Sequence, residues 1–388
     1  MSRRERKESD SMADRTGVYR ALQRHLDSQA VGFPATKSGV ELRILERIFS
    51  PEEARLALHL TYKPAPLDRI RDLAAADGFP PGEVEGMLDH MVQSGGIMRT
   101  EKNGVRHYQS VPFVLGMFEY QLNRLSPEFI ADIKEYFGDK AFGLSLIGTE
   151  RPQMRTIPVN KSFSAEHHVA TYDHVVELIE RSDGPFAVTE CICRKMAAMN
   201  GEPCTMTARE ETCMPIGDWA IHAVETGMGR SITREEALEI VRKSEAEGLV
   251  FQPSNAQEAD FICACCGCCC GMLKLQKKLS RPVDFWATNY YAAVDREACT
   301  ACGLCVKRCQ VDAVTLDGKH SAAVVDLDRC IGCGNCVVAC PAGAMRLVKK
   351  ERETVPPLDA GALYDEIMAH RKGPLGKMML IAKLVTRR

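Results

Sequence analysis

CTACGLCVKRC at residues 299–309 and CIGCGNCVVAC at residues 330–340 are two copies of one pattern. A shift of 31 residues places each cysteine of the first copy on a cysteine of the second, within longer matching segments at 294–316 and 325–347. Each copy has the spacing C-x2-C-x2-C-x3-C. Three closely spaced thiols can wrap around one iron–sulfur cubane, while the fourth reaches a second cubane. The repeat therefore predicts two [4Fe-4S] clusters.

The order of the eight repeat cysteines also predicts which thiols bind which cluster. Because the fourth thiol of each copy crosses to the other cluster, each ligand set combines both copies. The first predicted set is Cys299, Cys302, Cys305 and Cys340, and the second is Cys330, Cys333, Cys336 and Cys309.

These motifs resemble a two-[4Fe-4S] bacterial-type ferredoxin over about residues 294–348. The resemblance implies a small ββ/αα dicluster domain, placed at residues 291–350, that passes single electrons. One position departs from the pattern, since Gln310 stands where the second copy has Pro341. Proline there fixes the turn and is not a ligand, so its loss affects the local rigidity or the potential without removing the cluster. Two zinc knuckles are the alternative, and the x3 spacing and the repeat argue against them.

Ten further cysteines precede the repeat, six of them in the run FICACCGCCCG at residues 261–271. Three thiols of this run, Cys263, Cys266 and Cys269, share the C-x2-C-x2-C register of the repeat. A loop with three ligands needs a fourth, which the earlier cysteines can supply. These earlier cysteines are Cys191, Cys193, Cys204 and Cys213.

The upstream cysteines leave several metal sites open. The four earlier thiols can complete the site of the run or close a cubane of their own, so one or two additional [4Fe-4S] clusters are predicted in residues 191–270. Cys265 and Cys268 offer a second, interleaved CxxC. Zinc bound by four thiolates and a thiolate-bound Cu(I) site are the alternatives. Unligated thiols at this density would invite oxidation, which argues against free cysteines.

Eighteen cysteines are unusual in a chain of 388 residues whose 45% hydrophobic and 26% charged content is ordinary for globular proteins. Residues 1–15 are charged and lack the apolar core of a signal peptide. The chain is therefore expected in a reducing cytoplasm, in an anaerobic or low-potential pathway, where clustered thiols more often bind metal than form disulfides. A net charge of −2 gives no reason to expect nucleic acid or an acidic membrane as the main partner.

The first 190 residues contain no cysteine and begin with a helical pattern. Apolar spacing predicts helices at residues 41–49, 66–77 and 81–95, followed by a hairpin centred on Asn103-Gly104. This order of elements resembles a winged-helix domain, at about residues 40–112. The third helix carries acidic residues and no Lys or Arg, so it would repel phosphate. The segment is therefore predicted to dock a protein or form a homodimer, and DNA binding is disfavoured.

The predicted fold class is α+β with several domains. Further helices are predicted at residues 113–125, 127–137 and 172–182, with strands at 154–159 and 185–191. A basic amphipathic helix at the C-terminus is expected to dock on the ferredoxin domain or a partner, with a membrane surface as the alternative. The predicted divisions are a partly disordered lead-in (1–38), a winged-helix-like docking domain (39–125), a mixed α/β cysteine-rich iron–sulfur region (126–290), the ferredoxin domain (291–350), and a linker with C-terminal amphipathic helices (351–388).

We interpret the sequence as a multi-cluster, ferredoxin-like electron-transfer protein that relays single electrons at low potential between redox partner proteins. An electron carrier or oxidoreductase subunit is favoured over a stand-alone enzyme, and no catalytic residue is assigned. One alternative is a reductase subunit whose region 191–270 holds a substrate-binding cluster. Another is a redox-sensing winged-helix transcription regulator, which would bind DNA in a salt-sensitive way.

Overall fold

The protein forms two compact units, Met1–Gly148 and Thr149–Arg388, each described by itself. The computed structural model describes residues 3–163, 169–319, 321–373, 376, 378–380 and 382, with side chains from residue 16 onwards. Both units mix helices and strands, so the α+β class is confirmed. The finer predicted division into five segments remains a prediction.

The N-terminal unit is mostly helical and contains one small sheet. Its three strands are antiparallel and lie in the order β1-β3-β2. The elements are α1 (Arg3–Ser28), α2 (Val40–Ile48), α3 (Pro51–Leu56), β1 (Ala65–Pro66), α4 (Leu67–Ala76), α5 (Pro81–Gln93), β2 (Ile97–Lys102), β3 (Val105–Ser110), α6 (Pro127–Gly138) and α7 (Lys140–Ile147).

Helix α3 begins at a capping box. The Glu53 backbone N–H donates to the Ser50 hydroxyl at 3.2 Å, and the Ser50 backbone N–H donates to the Glu53 carboxylate at 2.7 Å. Two of the backbone donors that a helix start leaves without partners are thus satisfied. Pro51 occupies the first turn, where its missing N–H costs nothing. This local chemistry separates α3 from α2.

The hairpin β2–β3 is tied to the acidic face of α5. Asn103 and Gly104 have φ of 53° and 74°, which suits a tight two-residue turn. The Arg99 guanidinium donates to Asp89 at 3.1 Å, and the Arg106 guanidinium lies 2.9 Å from the carboxylate of Glu85. Both arginines of the hairpin are therefore paired with carboxylates of the helix beside it.

The described side chains of the first helix pack into the core, while the lead-in predicted at residues 1–38 stays a prediction. Helix α1 extends to Ser28, and its Tyr19, Leu22 and Leu26 side chains are buried. Their spacing of three and four residues places them on one helical face, which packs into the core.

The predicted helix at residues 113–125 is wrong as a regular helix. Val114 is extended and Leu115 is left-handed, with φ of 62°. A Cβ at position 116 would lie 2.9 Å from the Cβ of Val111, so the glycine allows the chain to fold back closely there. Only short turns remain on either side of this kink.

The C-terminal unit is built on a five-stranded antiparallel sheet in the order β6-β4-β5-β8-β7. Two two-stranded sheets follow, pairing β9 with β12 and β10 with β11. The elements are α8 (Val175–Arg181), β4 (Phe186–Glu190), α9 (Ile192–Met199), β5 (Glu211–Pro215), α10 (Asp218–Glu225), β6 (Gly229–Ile232), α11 (Arg234–Glu247), β7 (Val250–Pro253), β8 (Phe261–Cys265), α12 (Gly271–Lys278), β9 (Tyr290–Val294), α13 (Leu304–Arg308), β10 (Val314–Leu316), β11 (Ala323–Val325), α14 (Asn335–Val338), β12 (Met345–Lys349) and α15 (Ala360–Ala369).

Two predictions for this unit need qualification. The segment 154–159 forms isolated bridges and not a strand. Its Arg155 is instead buried in an ion pair with Asp173 at 2.8 Å, and Asn289 donates to the same carboxylate at 2.8 Å.

The helix predicted at the extreme C-terminus lies largely outside the described residues. No helix in the described part of the chain is both apolar enough and long enough to cross a bilayer.

Two buried cores lie on opposite faces of β8. Ile262 and Ala264 point into a core with α8 and α11. Cys263 and Cys265, one position away on the pleated strand, belong to the second core with the repeat segment. One strand therefore presents side chains to two environments.

Candidate metal centres

The first predicted ligand set surrounds a cavity. Cys299, Cys302, Cys305 and Cys340 all line one small, partly open cavity, together with small residues such as Ala301 and Ala342. Alanine and glycine between the ligands leave room at the sulfurs. The structure thus brings together three thiols of the first copy and the crossing thiol of the second.

The second predicted set is also brought together. Burial, followed by the charges of Cys309 and Cys330, raises the pKa of Cys333 to about 12. The pKa of Cys336 is raised by burial and by Cys333, Cys330 and Cys309. Burial and mutual repulsion thus favour the neutral thiols in the metal-free chain, and a metal ion among them would favour the thiolates.

Backbone amides point at the repeat sulfurs. The N–H groups of Ala292 and Ala313 donate to Cys330 Sγ at 3.3 Å and Cys309 Sγ at 3.2 Å. Such bonds stabilise thiolates and set the reduction potential of an iron–sulfur cluster. The cavity, the crossed thiols and these donors fit a pair of [4Fe-4S] clusters, with each iron bound by one cysteine.

Comparison with known families agrees with this geometry. The family model of a 4Fe-4S dicluster domain matches residues 292–347. This part of the chain is therefore an iron–sulfur domain. None of the curated proteins compared matches the chain.

Six of the ten upstream thiols form a closed ring, which we call the six-cysteine ring. Each of its thiols lies beside two others in the ring and shifts the pKa values of both. The pairs are Cys191–Cys193, Cys193–Cys270, Cys270–Cys265, Cys265–Cys263, Cys263–Cys213 and Cys213–Cys191.

Secondary structure explains how the six-cysteine ring assembles. Cys213 on β5 faces Cys263 on β8 directly, and Cys265 lies two residues further along the same face. Cys191 and Cys270 precede the first turns of α9 and α12. Two strands and two helix starts thus converge on one point.

The other four upstream thiols form a compact set, which we call the four-cysteine group. Cys204, Cys266, Cys268 and Cys269 offer sulfurs that all lie within 4.8 Å of one another. Cys204 Sγ lies 3.5 Å from Cys266 Sγ and 3.6 Å from Cys268 Sγ, and Cys268 Sγ lies 3.7 Å from Cys269 Sγ. The loop before β5 thus supplies one ligand and the end of the run supplies three.

This partition differs from the loop that the sequence predicted. Cys266 and Cys269 share one site, but Cys263 belongs to the six-cysteine ring. The reason is that Cys263 lies inside β8, whose pleat points it to the opposite face from Ala264, while Cys266 follows the strand. The expectation that an earlier cysteine supplies a fourth ligand agrees with the position of Cys204.

Three thiols outside the predicted ligand set belong to these sites. Cys268 is in the four-cysteine group, while Cys265 and Cys270 are in the six-cysteine ring. The interleaved CxxC was the sequence signal for Cys265 and Cys268. Their assignment to different sites follows only once the alternation of side chains along β8 is known.

Arg194 lies between the two upstream sites. Its guanidinium is buried and donates to the Ala264 carbonyl oxygen at 2.7 Å and to Thr212. Burial lowers the pKa of Arg194, but the charges of Cys191 and Cys266 outweigh burial and raise it above its ordinary value. One cation therefore offsets thiolate charge in both sites.

Gln310 connects the dicluster domain to the cysteine run. The Gly267 backbone N–H, between Cys266 and Cys268, donates to the Gln310 side-chain oxygen at 2.7 Å. A Cβ on Gly267 would lie 2.1 Å from the Gln310 backbone oxygen, so only glycine permits this approach. The departure from the repeat at Gln310 thus has a packing reason, since Pro341 at the matching position is exposed.

Proposed function

We propose that the chain is a multi-cluster iron–sulfur protein that relays single electrons between redox partner proteins. One observation carries the proposal. Every cysteine of the dicluster domain except the exposed Cys302 packs in or against one apolar core, together with three thiols of the six-cysteine ring, Cys263, Cys265 and Cys270. A low-dielectric interior shared by several metal centres suits transfer between them, because water does not reorganise around each charge.

The dicluster domain offers an exposed edge for a partner. Cys302 is exposed, whereas Cys305, Cys330 and Cys336 are buried. Leu304 next to it is 43% exposed. We place the contact with the redox partner at this edge, because an electron entering there meets the first ligand set before the buried second set. A donor docked on the opposite, buried side would have no such access.

The six-cysteine ring is proposed as the site of a further iron–sulfur centre. The ring thiols are more widely spread than those of the four-cysteine group, whose sulfurs all lie within 4.8 Å of one another. A cubane uses four thiolates, and the ring offers six. Gln252 is fully buried, its amide donates to Cys270 Sγ at 3.8 Å, and its side-chain oxygen is buried without a partner in the described structure.

Anaerobic purification followed by iron, sulfide and EPR analysis tests the proposal. The dicluster domain alone accounts for about eight irons, and one cubane in the ring raises this to about twelve. Redox titration should show one-electron steps, with the dicluster pair near about −400 mV. Cys213→Ser should lower the iron content by about four while the dicluster EPR signals remain. Colourless protein without acid-labile sulfide would refute the proposal.

We also propose that residues 40–112 form a winged-helix-like docking or homodimerisation domain. The helices, the hairpin and the β1-β3-β2 sheet occur in the order that this fold requires. Its hairpin arginines, Arg99 and Arg106, are paired with Asp89 and Glu85, which leaves little charge for phosphate. Light scattering should show a dimer or a complex with a partner protein. DNA binding at low ionic strength, lost with added salt, would support the regulator hypothesis instead.

A further inference from the structure

The four-cysteine group has the dimensions of a site for a single metal ion. Its measured S–S separations of 3.5, 3.6 and 3.7 Å lie within a set whose members are all closer than 4.8 Å. Four thiolates placed tetrahedrally at about 2.3 Å from one zinc ion are separated from each other by about 3.8 Å. The observed separations match that tetrahedron.

The dicluster sites in the same chain provide an internal comparison. Cys299, Cys302, Cys305 and Cys340 surround an open cavity, and in the described structure no hydrogen bond links these thiols to each other. A cubane requires such spacing, because each thiolate binds a different iron. The thiols of the four-cysteine group contact one another directly, so they leave no room for four irons and four sulfides. The group therefore does not fit a [4Fe-4S] cluster.

We propose that Cys204, Cys266, Cys268 and Cys269 bind one structural Zn²⁺ ion. A site closed by four protein thiolates matches structural zinc, whereas catalytic zinc keeps an open position for water. The sulfurs lie in the core shared with α8 and α11, on the opposite face of β8 from the core of the dicluster domain. Zinc is redox-inert, and this site is set apart from the electron path proposed above.

The surrounding residues support a thiolate-bound ion. The Met206 backbone N–H donates to Cys204 Sγ at 3.4 Å, and the Arg194 guanidinium lies beside Cys266. Four thiolates and one Zn²⁺ carry a net charge of −2, which these two groups offset in part. Residues 200–210 contain no helix or strand, so an ion bound through Cys204 would connect this irregular segment to the end of β8.

Element-specific X-ray absorption on the full-length, anaerobically purified chain tests the assignment. Zinc K-edge data should show one zinc per chain with four sulfurs at about 2.3 Å. Cys204→Ser should lower the zinc content at least about tenfold and leave the dicluster EPR signals unchanged. The matched control, Cys333→Ser, should lose iron and keep zinc. Hydrogen exchange in residues 200–210 should accelerate in Cys204→Ser only.

Two results would overturn this assignment. The first is a chain without zinc in which Cys204→Ser removes about four irons, which would mean a cubane. The second is bound zinc whose content and sulfur coordination do not respond to Cys204→Ser. If the variant fails to fold, the coordination shell of zinc in the unmodified chain still decides the question. Loss of the electron-relay proposal would show instead as absent iron and sulfide, with the zinc signal intact.

Discussion

Replacing Gln310 by alanine tests whether this residue joins the dicluster domain to the cysteine run. Gln310 is 4% exposed, and its side-chain oxygen accepts from the Gly267 N–H at 2.7 Å. Truncation leaves a buried backbone donor unsatisfied, which costs about 1–3 kcal/mol. Its amide also lies 3.5 Å from Met206 Sδ, a weak contact that adds little.

Hydrogen exchange measured by mass spectrometry on the anaerobic chain is the appropriate assay. If the Gly267 amide opens more easily by 1–3 kcal/mol, peptides covering residues 261–271 should exchange about 5- to 150-fold faster. Pro341→Ala is the matched control, because Pro341 occupies the same place in the second copy but is exposed. Its effect should stay within about 0.5 kcal/mol.

A second variant separates the side chain from the backbone. Gln310→Pro makes the two copies alike and removes the same acceptor. Cys309 before it is extended, with φ of −74° and ψ of 116°, so a following proline is tolerated. It should therefore reproduce the faster exchange of Gln310→Ala. Unchanged exchange at Gly267 in both variants would show that the hydrogen bond does not hold the run.

Three further variants have defined outcomes. Gly267→Ala places a Cβ 2.1 Å from a backbone oxygen and should destabilise the C-terminal unit by about 1–3 kcal/mol in chemical unfolding, whereas Gly318→Ala, with open space around it, should be neutral. Arg155→Met leaves Asp173 buried without its cation and should cost about 3–5 kcal/mol at neutral pH. Burial already raises the pKa of Asp173. A carboxyl whose pKa is higher in the folded than in the unfolded state destabilises the fold once it is ionised. The free energy of unfolding lost in Arg155→Met should therefore shrink as the pH falls towards about 4, which denaturant titrations at several pH values measure. Ser50→Ala should destabilise the N-terminal unit by about 0.5–2 kcal/mol in the same titrations, and no change would mean that the capping box is not formed in solution.

Local signals in the sequence predicted much of the fold. The Asn103-Gly104 turn and the helical spacing of residues 81–95 each act over a few residues, so sequence alone predicts the β2–β3 hairpin and α5. The kink at Leu115 was not predictable in this way. It depends on close packing against Val111, a contact that residue spacing does not reveal.

The repeat and the upstream cysteines differ in predictability for a physical reason. In the repeat, spacing along the chain fixes the ligands, because one loop wraps each site. In the run, the partners of Cys263 and Cys266 depend on which face of a strand each occupies and on the pairing of β8 with β5. Register is a tertiary property, so counting residues between cysteines does not reveal that Cys263 and Cys266 lie in different thiol groups.

The pleat of β8 has a consequence for how this segment tolerates insertions and deletions. Removing one residue before Cys263 would invert the whole strand, so that the thiols now facing the six-cysteine ring would turn towards α8 and α11. Both thiol sites would lose their members at once, although every cysteine would still be present. The face of β8 on which each cysteine lies therefore matters more here than the number of cysteines. Variants with insertions or deletions before Cys263 should keep both thiol sites only when they add or remove two residues.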